Sequence, residues 1–96
     1  MYVVYILYSH SSAKTYTGFT NDVERRLLEH NFTEAKGFTL RYRPWTLIRT
    51  EPYQSKPEAT AREKFLKTGK GRDEIKIYIK NYLSGIGAVS AAAEKD

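Results

Sequence analysis

Ninety-six residues at 11.1 kDa cannot divide their apolar side chains between two cores, so a single domain is expected. At 41% hydrophobic and 28% charged, the composition is that of a folded domain and sets aside wholesale disorder and fibrous repeats. Sixteen Lys and Arg against eleven Asp and Glu give +5, a surplus that attracts polyanions over about 8 Å in physiological salt and points weakly towards nucleic acid.

Residues 2–8, YVVYILY, are a continuous β-branched and aromatic run without a helical stripe, which predicts a buried strand. The run is too short to span a membrane and has no basic stretch ahead of it, so it is not a secretory signal. A cytoplasmic protein is expected. A Ser-rich link at residues 9–13 leads to a returning strand at 14–17, closed by Gly18, and this hairpin places Tyr5 near Tyr16. Asn21 is the predicted N-cap of a helix through His30, with Glu24 three positions on. Val23, Leu27 and His30 share one face of that helix, and Arg26 borders it. Residues 31–44 show no period and predict a mobile basic loop, followed by a third strand at 45–50 that begins with a core Trp45. Ser55 and Glu58 frame a second capping box with Pro57 in the first turn, starting a helix through Lys67 on which Ala59, Glu63 and Leu66 stack. A last helix is predicted over 73–83, and 85–96 is expected to be a Gly/Ala-rich tail beyond a domain of residues 1–84. The fold class is α/β (α+β), a three-stranded antiparallel sheet flanked by helices.

With no cysteine, any chemistry must use other groups. Four stand out: Tyr5, Tyr16, and the charges Arg26 and Glu63, each bordering an apolar face. Such charges are normally paired or functional. Two accounts stay open on the residues alone. One is an internal Arg26–Glu63 ion pair with two core tyrosines. The other is a phosphodiesterase site, in which a single carboxylate holds Mg²⁺ largely through water, Arg offsets charge on the phosphate, and a phenol near both cations activates water.

The spacing resembles the GIY-YIG endonucleases, in particular small standalone bacterial members similar to the nuclease module of the UvrC repair subunit and to structure-specific nucleases. Val3-Val4-Tyr5 stands at the GIY element and Tyr16-Thr17-Gly18 at the YIG element, eleven positions from tyrosine to tyrosine. Phe19 follows where some members carry lysine. Arg26, eight positions after Gly18, matches the family's catalytic arginine, and His30 falls where several members carry histidine near the phosphate. PEATAREKFLKTGKGR resembles the metal-binding helix, with Glu63 at its single carboxylate. The resemblance implies a metal-dependent DNA endonuclease with Mg²⁺ or Mn²⁺ on Glu63. It also implies Tyr16 as general base with Tyr5 as its partner, and Arg26 as stabiliser of the phosphoryl oxygens. Asn81 is a further candidate, because many members use an asparagine in the last helix.

Lys64, Lys67, Lys70 and Arg72 form a basic run beside Glu63 that suits phosphate contact. Lys36, Arg41 and Arg43, interleaved with Phe38 and Tyr42, suit a loop that clamps or stacks on DNA, although an ordinary exposed loop has the same composition. The expected partner is DNA, branched or nicked in a repair setting, with a protein partner supplying the targeting that so short a chain does not carry. The alternative is a non-catalytic nucleic-acid-binding module on the same fold.

Overall fold

A computed structural model describes residues 1–35 and 37–95, and side chains through residue 85. Three antiparallel strands, β1 (Tyr2–Ser9), β2 (Lys14–Thr20) and β3 (Thr46–Tyr53), form one sheet in the order β2-β1-β3. Four helices flank it: α1 (Val23–Leu28), α2 (Phe38–Arg41), α3 (Lys56–Leu66) and α4 (Gly69–Lys95). No helix among the described residues is long and apolar enough to cross a membrane.

The central strand explains the uninterrupted apolar run at the N-terminus. Successive side chains of a strand point to opposite faces, and β1 is covered on both, so every position from Val4 to Ser9 is buried. Val4 and Ile6 pack with Ala59, Leu66 and Ile75 on the α3/α4 side. Tyr5 and Leu7 pack with Trp45 on the α1 side, where Val23, Leu27 and Tyr16 close over them. The two phenols singled out in the sequence therefore lie on the same face. β3 runs past Thr50, where the sequence pattern stops, and includes Pro52 opposite Val3. An edge strand tolerates proline because one side of its backbone needs no ladder partner.

Local side-chain bonds shift the predicted boundaries. Asp22, not Asn21, caps α1: its Oδ1 accepts the Arg25 amide at 3.1 Å, while the Asp22 amide donates to Thr20 Oγ1 at 3.1 Å and moves the helix entry one residue on. α1 ends at Leu28 and widens into a π-helical turn, Glu29–Thr33. The described residues between 31 and 44 are not the aperiodic loop their composition suggests, because α2 forms among them and side-chain bonds tie down their backbone. Asn31 receives the Trp45 amide at 2.6 Å and donates to the Trp45 carbonyl at 3.0 Å, and the Trp45 indole donates to Thr39 at 2.7 Å.

α3 begins at the expected Ser55 cap. α4 starts at Gly69 instead of residue 73, because Thr68 Oγ1 accepts the Gly71 amide at 3.2 Å and serves as its cap. The two helices meet so closely that a Cβ on Gly71 would lie 2.1 Å from the Phe65 carbonyl oxygen. α4 also continues past Gly85, where a tail is expected; the Ala-rich stretch that follows favours helix intrinsically.

Glu51 on β3 locks the α3/α4 side. It receives Arg62 at 2.8 Å and Arg49 at 2.7 Å, and Arg62 also reaches Glu74 at 3.0 Å. Burial disfavours the Glu51 carboxylate, but hydrogen bonds from Arg62 and Arg49 outweigh that and bring its pKa from 4.5 down to about 2. A carboxyl depressed on folding contributes stability that is full above its unfolded pKa and is lost as pH falls through the folded one. Urea melts should therefore lose about 3 kcal/mol between pH 4.5 and pH 2 on account of this group, a slope that Glu51→Gln flattens. An equally steep acid limb in the variant would contradict the assignment.

Candidate active site

The geometry of the site starts from a missing side chain. Tyr5 pairs across the ladder with Gly18, and Tyr16 with Leu7, so the two phenols are diagonal neighbours with ring centroids 6.1 Å apart. A Cβ on Gly18 would sit 2.6 Å from the Tyr5 hydroxyl oxygen and 3.1 Å from the Tyr16 ring. Glycine at this position leaves the space that the Tyr5 hydroxyl occupies.

α1 and the π turn cover this face. The widened turn carries His30 inward to 1% exposure, where Nε2 meets the Tyr5 hydroxyl at 2.8 Å and the imidazole lies 4.7 Å from the Tyr16 ring. His30 Nδ1 is 3.2 Å from Glu34 Oε2, and Glu34 Oε1 accepts from Arg26 at 2.7 Å. Thr39 donates to the same Glu34 carboxylate. Tyr5, His30, Glu34 and Arg26 thus form one continuous polar network.

Its protonation follows from the surroundings. Burial raises the Glu34 pKa, but the Thr39 and Arg26 hydrogen bonds prevail and hold it below its ordinary value, so Glu34 is ionised. Burial, then the adjacent Arg26, push His30 down against the opposing pull of Glu34, leaving a neutral imidazole at pH 7. A neutral imidazole has one N–H, and the atom facing the carboxylate is Nδ1. Nε2 is therefore the acceptor and Tyr5 the donor. Burial and the neighbouring Tyr16 raise the Tyr5 pKa well above the usual phenol value, against the pull of Arg26, and keep it protonated.

The internal Arg26–Glu63 pair does not form. Arg26 bonds Glu29 at 3.0 Å and Glu34 at 2.7 Å, both supplied locally, while Glu63 on α3 bonds Lys67 one turn away at 3.2 Å. Beside Tyr16 a cleft of about 570 Å³ runs along the β2 edge. Tyr16, Lys14, Phe38, Leu66, Lys67 and Arg72 line it. Glu63, whose side chain is 18% exposed, is not among the lining residues but accepts a bond from one of them, Lys67. No group of three or more His, Cys, Asp or Glu suited to a metal occurs among the described residues. A lone carboxylate fits a hard cation that keeps most of its water, as Mg²⁺ does, and does not fit a zinc site.

The predicted basic residues divide. Lys67 and Arg72 line the cleft, and Lys70 is exposed at the start of α4. Lys64 faces a separate groove with Lys56 and Thr60. Arg41 is exposed, with its guanidinium 5.9 Å from the Tyr42 ring centroid. Arg43 donates to the carbonyls of His30 at 2.5 Å and Glu34 at 2.8 Å, capping the π turn, which is a structural duty in place of a free loop contact. Lys36 lies outside the described residues. Asn81 sits in a different groove with Ile48, Arg49 and Tyr78. Two residues of this region escaped the sequence analysis. Lys14 shares the strand parity of Tyr16, and Glu34 lies four positions after His30, so both spacings were available as signals.

The family model for the GIY-YIG catalytic domain matches residues 1–78. UPF0213 proteins of Halobacterium salinarum and Streptococcus agalactiae are 43% and 38% identical over 63 and 72 residues, covering 66% and 75% of this chain and 80% and 81% of theirs. The solution NMR structure of the UPF0213 protein of Bacillus halodurans is 30% identical, with a TM-score of 0.47, and the match covers 78% of this chain and 82% of that one.

Nitrogen-15 NMR of His30 should show the Nδ1–H tautomer at pH 7 and a titration midpoint below 6.5. Gly18→Ala, by displacing the Tyr5 hydroxyl, should shift both signals. An Nε2–H tautomer in the wild type would contradict the derived network.

Proposed function

The chain belongs to the GIY-YIG catalytic domain family, a nuclease family, and from that premise we propose that it is a metal-dependent DNA endonuclease acting at the Tyr16 cleft. The observation that carries the reading is the gathering of Tyr5, Tyr16, Arg26 and His30 on one sheet face, with Tyr16 opening onto a cleft walled by cations. Glu63 would hold Mg²⁺ or Mn²⁺, and such a cation, when bound, offsets the negative charge of a phosphodiester.

The two tyrosines have different duties because their exposures differ. Tyr5 is 2% exposed and donates to His30, so it does not meet water directly. Tyr16 is half-buried at the cleft wall and orients the attacking water. A neutral phenol becomes a proton acceptor only by passing on its own proton. The Tyr16 ring lies 6.1 Å from that of Tyr5 and 4.7 Å from the His30 imidazole, and Tyr5 donates to His30 Nε2. As water adds to phosphorus on the Tyr16 side, the opposite P–O bond breaks and the departing sugar oxygen takes a proton from solvent, while the proton lost by the attacking water is passed towards the Tyr5–His30 pair, where the imidazole accepts it. Glu34 stabilises the resulting imidazolium, as a carboxylate does behind any catalytic histidine. Arg26, held by Glu29 and Glu34, stabilises the charge that develops on the phosphoryl oxygens. Lys14, Lys67 and Arg72 hold the strand through its phosphates, with Arg41, Lys64 and Lys70 extending the positive surface.

Incubation of supercoiled plasmid and labelled oligonucleotides with Mg²⁺ or Mn²⁺ tests this directly. The expected outcome is cleavage that EDTA abolishes. Glu63→Gln and Arg26→Ala should each slow it by about 10²–10³-fold while salt-sensitive DNA binding persists. Intact DNA under every metal condition would leave the non-catalytic binding module, and equal cutting by Glu63→Gln would remove the metal role of that residue.

A further inference from the structure

The cleft contains one group that phosphodiester chemistry does not require. Phe38, at the start of α2, is 46% exposed and lines the cleft opposite the β2 edge. It is held from behind: its ring packs 5.9 Å from Trp45, itself 3% exposed, and 4.8 Å from Tyr42. Trp45 is in turn fixed by its indole bond to Thr39 and its backbone bonds to Asn31. Folding thus holds a partly solvent-exposed aromatic ring against a rigid base. An exposed phenylalanine in isolation needs no explanation, but this one shares its cleft with Tyr16, Lys14, Lys67 and Arg72, and the described residues that line the cleft include no carboxylate.

We propose that Phe38 is a stacking platform for an unpaired base beside the phosphate to be cut, so that the preferred substrate is DNA with unpaired nucleotides at the cleavage point. The inference rests on the nuclease reading for the choice of DNA, and on the cleft for the rest. The exposed Phe38 ring with three cations around it matches a nucleotide, which joins an apolar base face to an anionic phosphate. A cleft of about 570 Å³ lies in the range that encloses small ligands. Paired bases in a duplex are already stacked on both faces and present only edges and phosphates, so an aromatic platform gains nothing from them. A base released from its stack gains the full contact, and the energy of extracting it is smallest where pairing is already absent.

The test is binding of the full chain in EDTA, where no turnover occurs, with 2-aminopurine as the probe base. One DNA carries it in an unpaired bubble, a second has the same sequence fully paired, and a single-stranded RNA of that sequence is the third. The wild type should bind the bubble about tenfold tighter than the duplex and quench the probe. Phe38→Leu keeps an apolar side chain against Trp45 but has no aromatic face, and should lose most of that tenfold preference and the quenching. Phe38→Tyr should retain both. Thermal melts of the variants establish that each is folded. Equal wild-type affinity for bubble and duplex, full preference in Phe38→Leu, or RNA bound as tightly as the bubble would each overturn the proposal. The nuclease reading fails separately: if metal gives no cleavage of any DNA while the binding preference holds, only that reading falls. Equal cleavage of bubble and duplex would reject the stacking platform and leave the nuclease standing.

Discussion

The buried hydrogen bond from the Tyr5 hydroxyl to His30 is the contact on which the arrangement of this protein depends. A phenol on the central strand can reach an imidazole on the covering helix only if nothing fills the space across the ladder, which is why glycine stands at position 18. The bond must also find an acceptor, which is why a carboxylate on the far side of the ring holds the proton on Nδ1. An unsatisfied buried hydroxyl or imidazole would cost about 1–3 kcal/mol, so each partner constrains the next. Strand, π turn and the following segment are joined through that requirement. Arg26 is drawn into the same network by Glu34, which places a cation and two phenols on one side of the sheet.

The two faces of β1 divide the work. On one, Glu51 and Arg62 clamp β3, α3 and α4 around an apolar core, and this clamp sets the position of α3. On the other, polar groups replace part of the hydrophobic filling, and the Tyr5–His30–Glu34 network, with Tyr16 packed beside it, lies where a core would otherwise be. The cleft at the β2 edge is where the two sides meet. Lys67, the residue that follows α3, lines it together with Tyr16 and Lys14 of β2, and Glu63 of α3 accepts a bond from Lys67.

The sequence disclosed what depends on periodicity and spacing. The unbroken run at residues 2–8 belongs to a strand covered on both faces, and the Ser55 cap with Pro57 opens α3 where it should. The tyrosine spacing and the offset to Arg26 and His30 identified groups that do converge. What escaped depends on contacts between distant segments. Residues 31–44 have the composition of a loop, and bonds made by Trp45, Asn31 and Arg43 order the described residues among them. Thr68 caps α4 through a single hydroxyl bond that no periodicity signals. The partners of Arg26 and Glu63 were equally illegible, because each charge had several opposite charges at compatible spacing. Glu34 went unnoticed for a related reason: its importance lies in the imidazole it faces, not in its own surroundings along the chain.

The central claim is that Glu63 and the tyrosine network serve one site. Titration of the protein with Mn²⁺, followed by paramagnetic broadening of side-chain NMR signals, measures this without relying on turnover. The account predicts early, selective broadening of Glu63, Tyr16 and Lys67, absent in Glu63→Gln. Broadening confined to surface carboxylates such as Asp73, or unchanged by removing the Glu63 charge, would contradict it.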